Sequence, residues 1–389
     1  MTNLARTSRG AAAAIAVTAL FGLAACGSSG GDGSGEGGDS GQNVSTIEIV
    51  LTDDGCAPDV DSVESGALTF NVTNKDATGV SEVELLSGTR ILAEKENLAP
   101  GFDGSFSLKL TAGDYEIYCP GAKNSRSAFT VTGEAAPQVT GNAALEQGAE
   151  QYAEYVKTQA QVLVDAVGPL VAAIKSGDVT ASKQAYANAR SGYERIEPVA
   201  ESFALGEQNL DADIDAREGD VPDNEWRGFH VIEKGLWVGN STDGLVPVAE
   251  LLQTNVTKLQ GLVEDLEYQP AELANGAVAL LEEVISGKIT GEEERYSHLD
   301  LLDFAGNVEG AQQAFAFLQP GLESIDKTLS DECVDQFEAV TALLDKYKDP
   351  NVIGGYKLYT SLTAADTTAL ANAVQALVDP LSGVAAKVV

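Results

Sequence analysis

The period of the apolar residues changes once along this 389-residue chain, near residue 140, and no single fold accommodates both halves. Between Val44 and Gly133, six stretches mostly alternate apolar with polar residues: 46–51, 67–72, 81–86, 104–110, 114–119 and 127–132. Gly, Asn, Asp and Pro separate them at short intervals. A period of two turns one face of each segment to a core, so a small antiparallel β-sandwich is expected here. From Ala143 on the spacing becomes helical, with Tyr152, Val156, Leu163 and Val167 on one stripe and Leu252, Val256, Leu259 and Val263 on another. Further helical runs are expected near 178–203, 224–238, 271–287, 299–318, 321–347 and 363–388. The chain therefore reads as multidomain: an all-β sandwich over 44–133, a linker over 134–141, and an all-α domain of one or two helical bundles over 142–389.

The amino terminus reads as an address. Arg6 and Arg9 precede an uncharged, mostly apolar run, Ala11 to Ala25. That run is shorter than the roughly 20 residues a spanning helix needs, and it has the shape of a secretory signal over 1–25. Leu23-Ala24-Ala25-Cys26 resembles the lipobox of bacterial lipoproteins, in which the cysteine becomes the first mature residue and is lipidated. The Gly-, Ser- and acid-rich stretch 26–43 is too poor in apolar side chains to fold and suits a tether. A lipid-anchored protein on the outer face of the cell membrane is expected.

Composition then limits the partners. With 59 acidic against 24 basic residues the net charge is −35, a field that repels nucleic acid and anionic surfaces and attracts cations. Residues 134–389 hold 42 of those acids and 16 of the bases. The chain has 2 His, so no metal can take three imidazoles from one copy. His230 and Glu233 lie three apart in Gly228-Phe-His-Val-Ile-Glu-Lys-Gly-Leu-Trp237, and Glu194 and Glu197 do the same in Tyr193-Glu-Arg-Ile-Glu-Pro198. On a helix each pair would share a face, which is how bundles aim ligands inward. Spacing alone is weak, since on the order of nine acid-x-x-acid pairs arise by chance at this composition. A solvated face and a structural histidine are the ordinary explanations.

Longer motifs are more specific. Tyr193-Glu-Arg-Ile-Glu-Pro-Val-Ala-Glu201, Asp211-Ala-Asp-Ile-Asp-Ala-Arg-Glu218, Trp226-Arg-Gly-Phe-His-Val-Ile-Glu-Lys-Gly-Leu-Trp237 and Tyr296-Ser-His-Leu-Asp-Leu-Leu-Asp-Phe304 occur in this order. Together they resemble the signatures of imelysin-like (peptidase M75) domains of the EfeO type, in which a cupredoxin-like domain comes first. The resemblance covers about 45–389. It implies a non-enzymatic iron-uptake component that binds ferric or ferrous iron and works with a membrane permease and a secreted haem peroxidase. It also implies a metal site made of Glu194, Glu197, Asp211 and one acid of Glu292-Glu-Glu-Arg295, with Glu293 favoured, beside His230 and Glu233. His298 and Asp300 match a further motif whose implied role is structural. Carboxylate oxygen is the donor a hard ferric ion prefers.

A cupredoxin-like fold suggests copper, yet residues 44–133 contain no His and no Met, which excludes a type 1 copper centre. Cys56 and Cys119 remain, with Glu82, Glu84, Glu94 and Glu96 between them in sequence. In the family such cysteines and acids are proposed to hold a metal, whereas an oxidising compartment favours a disulfide. Cys333 is left single and is expected to be buried. Two other functions compete with iron uptake. One is binding of copper, zinc or a metal-bridged acidic polysaccharide. The other is zinc peptidase activity, which the sequence disfavours because Lys234 follows His230-Val-Ile-Glu233 where an inverted zinc motif needs a second histidine.

Overall fold

The computed structural model describes residues 44–133, 142–204 and 209–389. The expected signal, tether and linker, including Cys26, lie outside the described residues.

Eight strands form the amino-terminal domain: β1 (Ser45–Leu51), β2 (Ser62–Glu64), β3 (Gly66–Asn74), β4 (Val83–Ser87), β5 (Arg90–Lys95), β6 (Asp103–Leu110), β7 (Gly113–Tyr118) and β8 (Arg126–Thr132). They make two sheets, β1-β3-β6 and β2-β8-β7-β4-β5. The expectation of antiparallel pairing throughout needs correction, because β1 runs parallel to β3 and β2 parallel to β8. The chain leaves β1, contributes β2 to the opposite sheet and returns as β3, and such a crossover permits a parallel neighbour. Alternation places Ile47, Ile49 and Leu51 in the core beside stacked Phe70 and Phe106, whose rings lie 5.0 Å apart. Cys56 and Cys119 are joined in a disulfide with Cα atoms 6.3 Å apart. Strand β4 buries four consecutive residues, Val83 to Leu86, because the sandwich core covers one of its faces and Glu84 and Leu86 on the other are covered as well.

The rest is helical: α1 (Ala143–Ser176), α2 (Val179–Glu194), α3 (Glu197–Glu201), α4 (Leu210–Asp215), α5 (Phe229–Trp237), α6 (Val246–Val263), α7 (Pro270–Ser286), α8 (Asp300–Ile325), α9 (Lys327–Leu344), α10 (Ala364–Leu381) and α11 (Ala385–Val388). Helix α1, about 50 Å long at 1.5 Å per residue, starts at the Asn142 side-chain cap and stops at left-handed Gly177. Its later turns pack with α2, α5 and α6 around Val156, Leu163 and Val167. Its first turn joins a second core built by α7 to α11. Helices α1 and α8 thus tie two bundles together. The expected break before 321 is absent: Pro320 sits inside α8, and the helix ends at Asp326, whose carboxylate caps α9 through the Leu329 N–H. No helix among the described residues is long and apolar enough to cross a membrane.

Helix α7 is the seam with the sandwich. Arg90 of β5 pairs with Glu272 at 2.9 Å, Lys95 pairs with Glu282, and the Asn275 side-chain amide donates to the Ser107 carbonyl at 3.0 Å. A fourth bond runs from the Ile91 N–H to the Ser202 carbonyl, at 3.2 Å. These contacts leave a cavity of about 450 Å³ between the domains, with Glu96 on its sandwich side and Glu197, Glu201, Asp211 and Glu283 on its helical side.

Candidate metal centre

The run expected over 178–203 is two helices. Pro198 has no N–H to bond the Glu194 carbonyl and its ring crowds that carbonyl, yet it is well tolerated in the first turn of a helix, so α2 ends at Glu194 and α3 begins at Glu197. The two glutamates therefore straddle a break and do not share one helical face. Both still point inward, and both accept from the Lys288 ammonium, Glu197 at 2.7 Å. Asn307 of α8 also donates to Glu197 at 2.9 Å. Helix α8 comes this close because residue 306 is glycine: a Cβ there would lie 2.6 Å from the Glu194 Cβ.

Four carboxylates bring one oxygen each within 4.8 Å of one another: Glu194, Glu197, Asp215 and Glu293, all buried. Asp215 stands where Asp211 was expected. The two are one turn apart on α4, and Asp211, which is part-buried, accepts a 2.7 Å hydrogen bond from the Tyr193 hydroxyl at the cavity wall. Of the three consecutive acids, Glu292 is exposed and Glu293 enters the cluster. Glu294 is buried to one side, accepting from the Tyr186 hydroxyl at 2.7 Å and from the Ser297 hydroxyl.

His230 and Glu233 share a face of α5, as a three-residue spacing requires. Their roles differ. Glu233 is saturated: its Oε1 accepts from the Tyr296 and Ser297 N–H groups at 2.8 and 2.7 Å, and its Oε2 lies 3.0 Å from His230 Nδ1. His230 Nε2 has no hydrogen bond and points into the cluster, 3.4 Å from Asp215 and 3.5 Å from Glu293. An imidazole held at one nitrogen by a carboxylate and open at the other is the usual arrangement of a metal-binding histidine and its support. Helix α5 is aimed by Gly228, whose φ of +90° and ψ of −155° only glycine adopts readily; a Cβ there would collide with the Ile214 carbonyl.

Two buried cations were not visible as site residues in the sequence. Arg190 of α2 pairs with Glu194, Asp215, Glu293, Glu294 and Asp303. Its place four residues before Glu194 was the available signal, an i,i+4 pair. Lys288 follows α7 in a short 3-10 turn, Lys288–Thr290, and nothing in its sequence context marked it. Seven buried carboxyls (Glu194, Glu197, Asp215, Glu233, Glu293, Glu294, Asp303) still face only three buried bases, Arg190, Lys288 and His230, with the half-buried Arg217 adding a fourth on Glu293 at 2.8 Å. Burial, with Glu197 adding to it, pushes Glu194 up to about 8 despite Arg190 and Lys288. Burial acts on Glu293 too, but Lys288, His230 and Arg190 together hold it well below the usual carboxylate range. Such a cluster has oxygen donors, one imidazole nitrogen that makes no hydrogen bond, and an excess of carboxyls over bases, which fits a hard cation.

Two other acid groups flank it. Glu197, Glu201 and Glu283 gather within the same 4.8 Å, and so do Glu82, Glu94 and Glu96 on the sandwich. Glu84 lies opposite Glu94 across β4 and β5, with a buried Oε2 that has no partner. Because Cys56 and Cys119 are bonded to each other, neither offers a thiolate. His298 has φ +60° and its carbonyl accepts from Tyr359 N–H, while Asp300 accepts from the Glu294 N–H, so both brace the loop carrying Glu293.

Comparison with known proteins agrees with this architecture. The imelysin (peptidase M75) family model matches residues 148–384, and the cupredoxin-like domain model matches residues 13–131. The protein named iron uptake system component EfeO from Escherichia coli strain K12 is 37% identical over 347 residues, spanning 87% of this chain and 90% of that one. The proteins of the same name from Shigella flexneri and from Escherichia coli O157:H7 are 37% and 36% identical over the same shares. A cupredoxin-like sandwich followed by an imelysin domain, with relatives of this closeness along most of its length, makes the chain a member of the EfeO-type imelysin family.

Proposed function

We propose that this chain is the extracytoplasmic metal-binding component of an iron uptake system, and that it binds iron and does not process a substrate. The iron is held by Glu194, Glu197, Asp215 and Glu293 with His230 Nε2 completing the set, and Asp211 lines the approach. The observation that carries this reading is the buried excess of carboxylates around a histidine nitrogen that makes no hydrogen bond. The relatives' names support iron as the cargo. A membrane permease receives the ion, a secreted haem peroxidase supplies it in ferric form, and lipidated Cys26 keeps the donor near both at high effective concentration. The organisation that follows is a signal over 1–25, a tether over 26–43, the sandwich over 44–133, a linker over 134–141 and the helical domain over 142–389. The sandwich offers a second, all-oxygen site at Glu82, Glu84, Glu94 and Glu96, supported by the unpaired Glu84 oxygen.

Calorimetric titration with ferric citrate tests the main site. Wild type should bind one ion there, and Glu194→Gln with Glu197→Gln should weaken binding about a hundredfold, since two of four charged donors are lost. Unchanged affinity in the double variant would sink the assignment.

A further inference from the structure

Lys288 is an unusual occupant for a cation site. Its side chain is fully buried, and its ammonium lies on Glu194 and Glu197, two of the four proposed metal ligands, with Glu283 at 3.4 Å. Burial opposes the charge, but Glu194 and Glu197 outweigh it and keep the amine protonated well beyond the ordinary lysine range. A compact point charge on these oxygens competes with an incoming metal ion for the same two carboxylates.

The two buried cations differ in freedom to move. Arg190 is clamped among five carboxylates, and its guanidinium lies 5.4 Å from the Phe229 ring centre and 5.7 Å from that of Tyr193. Lys288 has a four-carbon stem, and a second carboxylate group stands on its other side: Glu197, Glu201 and Glu283, where Glu201 and Glu283 are part-buried and face the interdomain cavity. Glu197 belongs to both groups. Glu201 brings an oxygen within 4.8 Å of those of Glu197 and Glu283, on which Nζ already lies, so only a short swing of this flexible side chain separates Glu194 from Glu201.

We propose that Lys288 holds the cargo's place in the metal-free cluster and exchanges with it, withdrawing to Glu283 and Glu201 when iron enters and returning when iron leaves. This rests on the reading of Glu194 and Glu197 as metal ligands. Exchange of one cation for another keeps the buried carboxylates neutralised in both states, which eases release as well as capture. Lys288 is a positioning residue here, touching the ligands and not the ion.

Two measurements test it. In a crystal of the full chain soaked with ferric citrate, Nζ should have left Glu194 and lie on Glu283 and Glu201, with iron in its former place. Iron on Glu194 and Glu197 with Nζ still bonded to both would overturn the exchange and leave the proposed function standing. Absence of iron from those residues would overturn both. In solution, Lys288→Met should bind ferric iron about tenfold more tightly and surrender it to EDTA more slowly than wild type, since no internal cation replaces the departing ion. Lys288→Arg should bind more weakly. Equal affinity and equal release rate for Lys288→Met would also defeat the inference, and the soaked wild-type crystal decides alone should that variant not fold.

Discussion

His230 and Glu233 owe their division of labour to which atoms still lack a partner. Glu233 spends both oxygens on the Tyr296 and Ser297 N–H groups and on His230 Nδ1, which leaves Nε2 as the open nitrogen. Glu233→Gln keeps the shape but puts an amide where a carboxylate was. If its nitrogen faces the ring, Nδ1 must accept, and the ring proton moves to Nε2, into the cluster. Ferric affinity in titration calorimetry should fall about tenfold to a hundredfold, and chemical denaturation should show a loss of about 1–3 kcal/mol. Unchanged affinity would mean that Nε2 is no ligand. The sequence motifs singled out His230, Glu194, Glu197 and Glu293, which do meet in space. Asp215 escaped because Asp211-Ala-Asp-Ile-Asp215 offers three acids and only the packed helix tells which one faces in. Arg190 and Lys288 escaped for a different reason: a search for metal donors passes over cations, although burying this many carboxylates requires them.

At the scale of elements, two local rules position the cluster: the Pro198 break that separates α2 from α3, and Gly228 at the start of α5. Gly228→Ala should cost about 3 kcal/mol or more, since it combines a glycine-only backbone conformation with a collision against the Ile214 carbonyl. Thermal unfolding measures this, and a loss within 0.5 kcal/mol, the size of an ordinary surface change, would contradict the close contact of α5 with α4. Strands β4 and β5 carry a pH signature. Burial and neighbouring glutamates raise Glu84 to about 9, and burial with Glu82 and Asp211 raises Glu96 to about 8. Between roughly pH 4.5, where both ionise in an unfolded chain, and these values, the folded state binds more protons than the unfolded one. Stability therefore falls as pH rises through that window. The metal-free protein should melt at a lower temperature at pH 8.5 than at pH 5.5, with Glu84→Gln flattening the slope; a melting temperature that climbs over this range would refute it. Asp215 and Glu293, whose carboxyls are held low, act in the opposite sense only at more acid pH. The sandwich and bundle were legible from the two periods. The parallel pairings of β1 and β2 and the continuation of α8 through Pro320 were not, because crossover geometry and capping by Asp326 settled them.

Across the whole molecule the two domains face each other with like charge. Glu94 and Glu96, at the end of β5 and just after it, sense Asp211, and Glu201 senses Glu96 and Glu94, across a domain boundary that Arg90, Lys95 and Asn275 bridge. No periodicity or motif foretold this seam, since its partners lie more than 100 residues apart. A cavity lined by one sign of charge raises the local concentration of cations, so acids that never touch the bound ion should still strengthen its capture. At pH 8.5, above the value of about 8 to which burial raises Glu96, Glu96→Gln is expected to weaken ferric binding at the helical cluster by about two- to threefold at 0.02 M salt, and by almost nothing at 0.5 M, where the screening length drops to a few ångströms. Glu48→Gln, on the exposed face of β1, should have no effect at either salt concentration. Glu194→Gln, by contrast, should weaken binding at both, because a lost donor cannot be screened. If the Glu96→Gln deficit persisted at high salt, Glu96 would have to be a direct ligand, and the iron site would extend across the domain boundary.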